Sequence, residues 1–396
     1  MALDQSTIVG VVGAGAMGTG IAQVAAAAGH HVIVADAVRG ATARAQASIA
    51  KAMEREVQKE RMSRNAADEL MSRVDYQWEP LGDDVSAFAG CGLVIEAIAE
   101  DLAAKQSVFR RLEAVVARDA VLATNTSSLS VASIASACEA SERVAGVHFF
   151  NPAPMMPLVE IVPWLGGDPF VATGAFALMQ RWRKTPVLAS DTPGFIVNRI
   201  ARPFYGESIR MLEEGVADAA TIDWAMKTMG PFRMGPFELM DFIGNDVNYA
   251  VTQSVFEGFF NDPRYRPSLT QRRLVEAGFL GKKSGRGYYD YRDGATVPAP
   301  DTDPVVGLLV FERVLAMLIN EAVDAVYLRV ASPEDIDLAM TRGVNYPKGL
   351  LAWGNEIGLD RVLAWMERLQ AEYGEDRYRP SPLLRRMVRD QRRFFE

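Results

Sequence analysis

His148 and Glu160 are the residues of this 396-residue chain whose types and spacing first suggest acid–base chemistry. They lie in GVHFFNPAPMMPLVEIV, where two apolar runs flank a proline-rich segment. If those runs are neighbouring strands, the Glu160 carboxylate orients the imidazole and stabilises its charged form, as a general base requires. The competing interpretation is a packed structural histidine, which is the commoner case for these residues alone. The other histidines, His30 and His31, are predicted to lie in a surface turn.

Short polar side chains occur at two further places where a ligand could bind. In TNTSSLSV, Ser127 and Ser128 follow a predicted strand, and open α/β sheets bind ligands beyond the carboxyl ends of their strands. Helix capping is the alternative role for these two serines. Asn198 lies in the apolar helix predicted for DTPGFIVNRI, where the alternative is a hydrogen-bonded core amide.

A glycine-rich turn near the start of the chain has the pattern of a dinucleotide site. Gly13, Gly15 and Gly18 fit G-x-G-x-x-G, with Ala16 and Met17 between the second and third glycines. The turn follows the strand-like run TIVGVV and opens a helix, which is the context that makes this pattern specific. The glycines allow a tight turn, close approach to a pyrophosphate and close helix–strand packing.

Asp36 ends the next predicted strand, HVIVAD, where a carboxylate accepts hydrogen bonds from the adenosine ribose hydroxyls. A carboxylate there repels the 2′-phosphate of NADP, so NAD is the predicted cofactor. Arg39 could pair with a 2′-phosphate but is expected to be solvated. The alternative is a nucleotide-free domain of the same fold that keeps its glycines for packing.

The elements around these motifs alternate between strand and helix. Helices are expected at residues 38–64, 101–117, 129–137 and near 170–182, and strands at TIVGVV, HVIVAD, GLVIEAIAE, AVLATNT, RVAGVHFF, PLVEIV and TPVLAS. This alternation predicts an α/β Rossmann-type, doubly wound parallel sheet over residues 1–190.

The rest of the chain is predicted to be all-α and internally duplicated. A gap-free shift of 114 residues places residues 216–246 on residues 330–360 with many identities. We therefore predict one helical module over residues 191–294 and a second copy over residues 304–396, joined by the linker ATVPAPDTDP.

The duplication separates residues that both copies keep from those that only one copy has. The same shift pairs Arg199 with Arg313 and Glu207 with Glu321, which are identities. It pairs Asn198 with Glu312, and no phosphate-binding loop accompanies the second copy. The second copy is therefore predicted to be structural.

Composition excludes several classes of protein. The chain has 42 basic and 50 acidic residues, a net charge of −8, and no basic stripe of the kind that nucleic-acid binding needs. Two cysteines form neither a disulfide framework nor metal-ligand spacing, and no metal site is predicted. No apolar run is long enough for a membrane span and no signal peptide is recognisable, so a cytoplasmic protein is expected.

Six stretches, taken in order, resemble the motif series of the 3-hydroxyacyl-CoA dehydrogenase family. They are GAGAMGTGIAQVAAAAGHHVIVAD, VIEAIAEDLAAKQ, LATNTSSLSV, GVHFFNPAPMMPLVEIV, DTPGFIVNRI and GKKSGRGYYDY. The resemblance covers about residues 6–291, and the second helical copy resembles longer bacterial members. It implies NAD-dependent, reversible oxidation of (S)-3-hydroxyacyl-CoA to 3-oxoacyl-CoA, as in fatty-acid β-oxidation.

The resemblance assigns roles to individual residues. It implies that His148 is the base that takes the proton of the 3-hydroxyl and that Glu160 is its partner carboxylate. Ser127 and Asn198 match the two groups that hold the substrate's 3-oxygen, and Asn151 matches a residue close to the nicotinamide.

Further matches concern the cofactor and coenzyme A. Glu100 and Lys105 match cofactor contacts, with Lys105 also a candidate for the coenzyme A side. Lys283 of GKKSG matches a cofactor contact from the second domain. Lys59 falls where the family has a lysine for the phosphates of coenzyme A, whereas Ala52 stands where some relatives have a serine that contacts coenzyme A.

The sequence leaves two alternative functions and two possible oligomeric states. One alternative is a dehydrogenase of a free hydroxy or sugar acid, similar to the gulonate dehydrogenase and lambda-crystallin group, and the other is an inactive cofactor-binding protein. Family members with one helical module commonly dimerise through it, so this chain is expected to be either a homodimer or a pseudo-dimeric monomer.

Overall fold

The computed structural model describes residues 3–396, which form two compact units that divide after Thr192. Among the described residues, no helix is both long enough and apolar enough to cross a membrane.

In its described part, the first unit contains one eight-stranded sheet in the order β3-β2-β1-β4-β5-β6-β7-β8. The strands are β1 (Val9–Val12), β2 (Val32–Ala35), β3 (Val74–Tyr76), β4 (Leu93–Glu96), β5 (Val121–Thr124), β6 (Val144–Phe149), β7 (Leu158–Val162) and β8 (Thr185–Leu188). Neighbouring strands are parallel except for the antiparallel pair β6 and β7. The predicted Rossmann-type fold is confirmed, with two corrections. The sheet is mixed because a short turn returns the chain beside β6, and the three-residue strand β3 was not predicted.

Helices cover the sheet. They are α1 (Ala16–Ala27), α2 (Ala41–Gln58), α3 (Arg64–Ser72), α4 (Leu102–Val115), α5 (Val131–Ala135) and α6 (Pro169–Arg181). The long helix expected over residues 38–64 is α2, but it ends at Gln58, and the separate helix α3 was not predicted. The chain turns at Glu60, which has a positive φ of 55°, and Ser63 then caps α3 by accepting a hydrogen bond from the Ala66 amide. The physical reason is the Ser63 hydroxyl, which satisfies an amide at the start of a new helix.

Four-residue apolar strands such as β1, β4 and β5 are buried along their whole length, because helices lie on both faces of the sheet. His30 belongs to this core, so its predicted place in a surface turn is wrong. Its side chain is 2% exposed, and Nδ1 is 2.9 Å from the Thr7 carbonyl oxygen. Its ring also packs against Trp182. His31 is exposed, as expected, and pairs with Asp75.

The second unit is built of helices. They are α7 (Val197–Ile200), α8 (Arg202–Glu213), α9 (Ala219–Thr228), α10 (Pro236–Ile243), α11 (Asn245–Gly258), α12 (Leu269–Glu276), α13 (Pro304–Tyr327), α14 (Pro333–Gly343), α15 (Leu350–Ile357), α16 (Leu359–Tyr373) and α17 (Pro382–Arg389). We call residues 193–294 the first module and residues 304–396 the second module. Helices α9, α10 and α11 recur as α14, α15 and α16, so the predicted duplication is confirmed.

Buried ion pairs join the two modules, and each module supplies the same kind of group to the other. Arg199 of the first module bonds to Glu321 of the second, with 2.6 Å between Nε and Oε1. In the other direction, Arg313 bonds to Glu207, with 3.1 Å between Nε and Oε2. A tyrosine hydroxyl donates to each glutamate, Tyr265 to Glu321 and Tyr378 to Glu207.

Candidate active site

The glycine turn between β1 and α1 leaves space where a pyrophosphate would bind. A Cβ on Gly13, whose φ is +106°, would lie 2.4 Å from the Ala97 carbonyl oxygen, and one on Gly18 would lie 1.8 Å from the Gly13 oxygen. A Cβ on Gly15 would meet no atom within 4 Å, so this glycine faces open space. Helix α1 begins at Ala16 without a side-chain cap, and such a helix start favours an anion. These residues fit a dinucleotide.

Asp36 is held in place at the end of β2 by backbone amides. Its Oδ2 accepts from the Ala14 amide at 2.6 Å and its Oδ1 from the Val38 amide at 2.7 Å. The carboxylate is half-buried beside the glycine turn, while Arg39 is exposed. This arrangement fits a ribose diol.

His148 and Glu160 are brought together as a directly opposed pair on the antiparallel strands β6 and β7. His148 Nδ1 lies 2.7 Å from Glu160 Oε2, and both side chains are buried. The Phe150 ring lies 4.6 Å from the imidazole, measured between ring centres. Side chains that are opposed on one face of such a pair are in contact, so the register itself sets this hydrogen bond.

Glu100 organises the turn that carries the two serines. Its Oε1 accepts from the Thr126 hydroxyl at 2.5 Å, from the Ser127 and Ser128 amides at 3.1 Å, and from the Ser128 hydroxyl at 2.8 Å. Burial by itself raises the pKa of Glu100, but Lys105 and the hydroxyls of Thr126 and Ser128 outweigh it and lower the pKa below its usual value. The carboxylate is therefore ionised at neutral pH.

Lys105 is enclosed by two carboxylates. Its Nζ lies 2.7 Å from Glu96 Oε1 and 3.2 Å from Glu100 Oε2, and its side chain is 1% exposed. Glu96, which is itself fully buried, also accepts from the Thr124 hydroxyl at 2.7 Å. The expectation that Lys105 also reaches the coenzyme A side is at odds with this burial, because its charge is taken up by Glu96 and Glu100.

Three residues of this network escaped the sequence analysis: Glu96, Asn125 and Asp191. Asn125 Oδ1 accepts from the Phe149 amide at 2.8 Å and so ties the end of β5 to the end of β6, next to His148. The sequence signal for Glu96 and Asn125 is that each is a polar residue at the end of a buried strand, in LVIE and LATN.

Asp191 and Ser130 cap helix α5. Ser127 and Ser128, for which capping was the alternative role, do not. Asp191 accepts from the Val131 and Ala132 amides at 2.9 Å and 2.8 Å, and the Ser130 hydroxyl accepts from the Ser133 amide. Helix capping therefore does not occupy Ser127, whose hydroxyl makes no hydrogen bond within the described residues.

The remaining candidates lie at the surface or in the second unit. Asn151 is exposed and precedes a cis peptide bond to Pro152, and Lys59 is exposed directly after α2. In the second unit, Asn198 is half-buried on α7, and Lys283 is exposed and pairs with Asp246 at 2.5 Å. The Asn198 amide side chain has no hydrogen-bond partner in residues 3–396, unlike the core amide that was the alternative.

Comparisons with known families place these features in one context. The family described as "3-hydroxyacyl-CoA dehydrogenase, NAD binding domain" matches residues 8–192. The family described as "3-hydroxyacyl-CoA dehydrogenase, C-terminal domain" matches twice, at residues 194–291 and 309–393. The chain belongs to the 3-hydroxyacyl-CoA dehydrogenase family. Its activity is the NAD-dependent oxidation of a 3-hydroxyacyl-CoA.

Individual relatives differ in how much of the chain they cover. The chain is 39% identical to a 3-hydroxyadipyl-CoA dehydrogenase from Escherichia coli K12, with 95% of this chain and 96% of the relative covered. The human mitochondrial hydroxyacyl-coenzyme A dehydrogenase is 39% identical over 71% of this chain and 90% of its own length. A crystal structure of a 3-hydroxybutyryl-CoA dehydrogenase from E. coli K12 superposes with a TM-score of 0.91 at 37% identity, covering 97% of this chain and 98% of that one.

Proposed function

We propose that this 3-hydroxyacyl-CoA dehydrogenase uses His148 as its general base and Glu160 as the carboxylate that orients it. The observation that carries the proposal is the 2.7 Å contact between Nδ1 and the fully buried Glu160 carboxylate. Nδ1 then donates to Glu160, and Nε2 is the nitrogen that takes the proton of the substrate's 3-hydroxyl. In the reverse direction the imidazolium returns this proton, and Glu160 stabilises its charge.

A bound NAD would supply the acceptor for the hydride that leaves the carbon carrying this hydroxyl. We propose that Gly13, Gly15 and Gly18, with the Ala16 and Met17 amides, hold the pyrophosphate. Asp36 holds the adenosine ribose, and Asn151 and Lys283 are further cofactor contacts. The open space at Gly15 and the fixed carboxylate of Asp36 support this assignment.

We propose that Ser127 and Asn198 bind the substrate's 3-oxygen and polarise it. The support is that the Ser127 hydroxyl and the Asn198 amide each lack a partner in the described part of the chain, so both are available to a ligand. Two such donors favour the developing alkoxide over the neutral hydroxyl. Glu100 and Lys105 are proposed as cofactor contacts. They also position Ser127, because Glu100 accepts from the Ser127 amide and Lys105 pairs with Glu100.

Lys59 is the proposed contact for the phosphates of coenzyme A. Helix α2 and the turn after it carry several basic side chains, and Lys59 is exposed at the end of this helix. A free hydroxy acid would not need such a group. Substitution of Lys59 by Ala is expected to raise KM for a coenzyme A thioester and to leave kcat nearly unchanged.

For the whole chain, we propose a pseudo-dimeric monomer in the cytoplasm, divided into residues 1–190, 191–294 and 304–396. The reciprocal ion pairs between the modules support a pseudo-dimeric monomer, because the second module occupies the place that the module of a second subunit would take. Two buried free thiols, Cys91 and Cys138, are in keeping with a reducing compartment. Light scattering tests the assembly, and a dimer mass would contradict it.

The function is tested by NADH absorbance with acetoacetyl-CoA and 3-oxohexanoyl-CoA. His148→Gln is expected to lower kcat by about 10²–10⁴-fold, because proton transfer by a positioned base contributes this much. His30→Gln is the matched control, since His30 is a buried histidine that bonds to a backbone carbonyl. Near-normal activity of His148→Gln would contradict the assigned base, and no turnover of any coenzyme A ester by the wild type would contradict the function.

A further inference from the structure

Arg202 differs from the other buried arginines of the second unit. Arg199, Arg264, Arg313 and Arg377 each pair with two carboxylates of their own unit. Arg202 is 7% exposed and has no carboxylate partner anywhere in residues 3–396. A guanidinium keeps its charge even when buried, and a buried charge is costly without an opposite charge. This side chain is therefore an incomplete ion pair.

The groups around Arg202 fix its position without neutralising it. Nε donates to the Asn198 carbonyl oxygen at 2.7 Å. Nη1 donates to the Thr252 hydroxyl at 3.1 Å and to the Asn248 carbonyl oxygen at 3.5 Å. The guanidinium also lies 5.0 Å from the centre of the Tyr205 ring. Nη2 has no hydrogen bond among the described residues, and burial lowers the pKa of Arg202, as expected for an uncompensated charge.

A second polar group without a partner lies close by. The Tyr346 hydroxyl is buried and has no hydrogen-bond partner in residues 3–396. The Tyr346 ring packs against Phe204, with 5.7 Å between ring centres. Phe204 in turn contacts Tyr205, whose ring lies against the Arg202 guanidinium. A hydroxyl donor beside an unpaired guanidinium is the donor set that a carboxylate would accept from.

The second module shows that the fold does not need the polar cluster formed by Arg202, Asn248 and Thr252 of the first module. With the same shift of 114 residues, Arg202 corresponds to Ala316, Asn248 to Val362 and Thr252 to Met366. All three residues of the second module are fully buried and apolar. The arginines that hold the modules together recur in the second module, whereas the polar cluster at Arg202 does not. The cluster is thus a property of the module that carries Asn198.

Arg202 follows Asn198 by four residues and bonds to its carbonyl, so the two lie on one face of adjoining helical turns. We propose that Arg202 binds a carboxylate at the far end of the acyl chain, and that the enzyme acts on short 3-hydroxyacyl-CoA substrates with such a terminal carboxylate. The proposal rests on the proposed role of Asn198 at the 3-oxygen. Arg202 is then a residue that determines specificity for the acyl group.

The test compares two six-carbon thioesters that differ only at the end of the chain. Wild-type kcat/KM for 3-oxoadipyl-CoA, which ends in a carboxylate, is expected to exceed that for 3-oxohexanoyl-CoA, which ends in a methyl group. The expected ratio is about 10-fold to 100-fold, from the strength of a hydrogen bond to a charged group. Equal kcat/KM values would overturn the proposal and leave the dehydrogenase function intact. No turnover of either thioester would overturn the function as well.

Variants separate binding from a structural role. Arg202→Met is expected to bring the ratio close to one, and Arg202→Lys to reduce it by less, because a lysine keeps the charge but loses the planar fork. Arg264→Lys is the matched control, since Arg264 already pairs with Glu321 and Asp324, and its ratio is expected to equal that of the wild type. An equal loss with both thioesters in Arg202→Lys would indicate packing and overturn the proposal. The wild-type ratio decides even if Arg202→Met fails to fold.

Discussion

The first and second helical modules share the groups that join them and differ in the groups that could meet a ligand. Arg199 and Glu207 of the first module recur as Arg313 and Glu321 of the second, and each arginine bonds to the other module's glutamate. Asn198, by contrast, corresponds to Glu312, which lies near Arg361 and Arg368 of its own module. A duplicated fold thus provides its own control, because a group that packing requires is expected in both copies.

Removal of a shared glutamate is expected to have the largest effect. Glu321→Gln and Glu207→Gln should each lower the free energy of unfolding by about 3–5 kcal/mol, because each leaves buried guanidinium groups short of a carboxylate. Guanidinium chloride unfolding, followed by circular dichroism, measures the loss. Glu367→Gln, at an exposed ion pair with Arg385, is the control and should cost less than about 1 kcal/mol. If only one of the two substitutions lowered the free energy of unfolding, the two modules would not be equivalent.

Asn198 and Glu312 occupy equivalent positions in the two modules, and only substitution of Asn198 should affect catalysis. Asn198→Ala is expected to lower kcat by about 10²–10³-fold, the usual effect of removing one donor to a developing oxyanion. Glu312→Ala, at the corresponding position, should leave kcat within about twofold of the wild type. NADH absorbance with acetoacetyl-CoA measures both. A comparable loss in Glu312→Ala would show that the second module takes part in catalysis.

A smaller effect concerns two aspartates that cap equivalent helices. Asp223 accepts from the Phe237 and Glu238 amides at the start of α10, and Asp337 accepts from the Leu351 and Ala352 amides at the start of α15. Burial raises the pKa of Asp223 to about 7, against the opposing effect of these amides and of the Tyr289 hydroxyl. Burial also raises the pKa of Asp337, which is only half-buried.

The raised pKa of Asp223 means that the folded protein holds this proton more tightly than the unfolded chain does. Its contribution to stability is therefore complete below about pH 4 and is lost as the pH rises to about 7. Relative to Asp223→Asn, the wild type should lose up to about 4 kcal/mol of unfolding free energy between these limits. Asp337→Asn should show a smaller change. Parallel stability curves for the wild type and Asp223→Asn would contradict the raised pKa.

The features that could be predicted from the sequence are those with a local signal. The glycine turn, its helix and Asp36 lie within 30 residues of one another, and the apolar strands between helices predicted the sheet. The end of α2 at Gln58 and the start of α3 were not predicted, because helical composition continues across the break near Glu60. Strand β3 was not predicted because it has only three residues. The burial of His30 was not predicted, because only its contacts with the Trp182 ring and the Thr7 carbonyl oxygen, both distant in the chain, enclose this histidine.

The sequence by itself determined the kind of chemistry: a dinucleotide turn, a ribose carboxylate, one histidine with a glutamate twelve residues later, and a helical module present twice. Only the tertiary structure decided which of these groups meet. The antiparallel register of β6 and β7 places Glu160 opposite His148, because opposed residues on one face of a strand pair are in contact. The tertiary structure also decided which buried arginines of the second unit have a carboxylate beside them, because those carboxylates come from residues distant in the chain. Arg202 is buried and has none among residues 3–396.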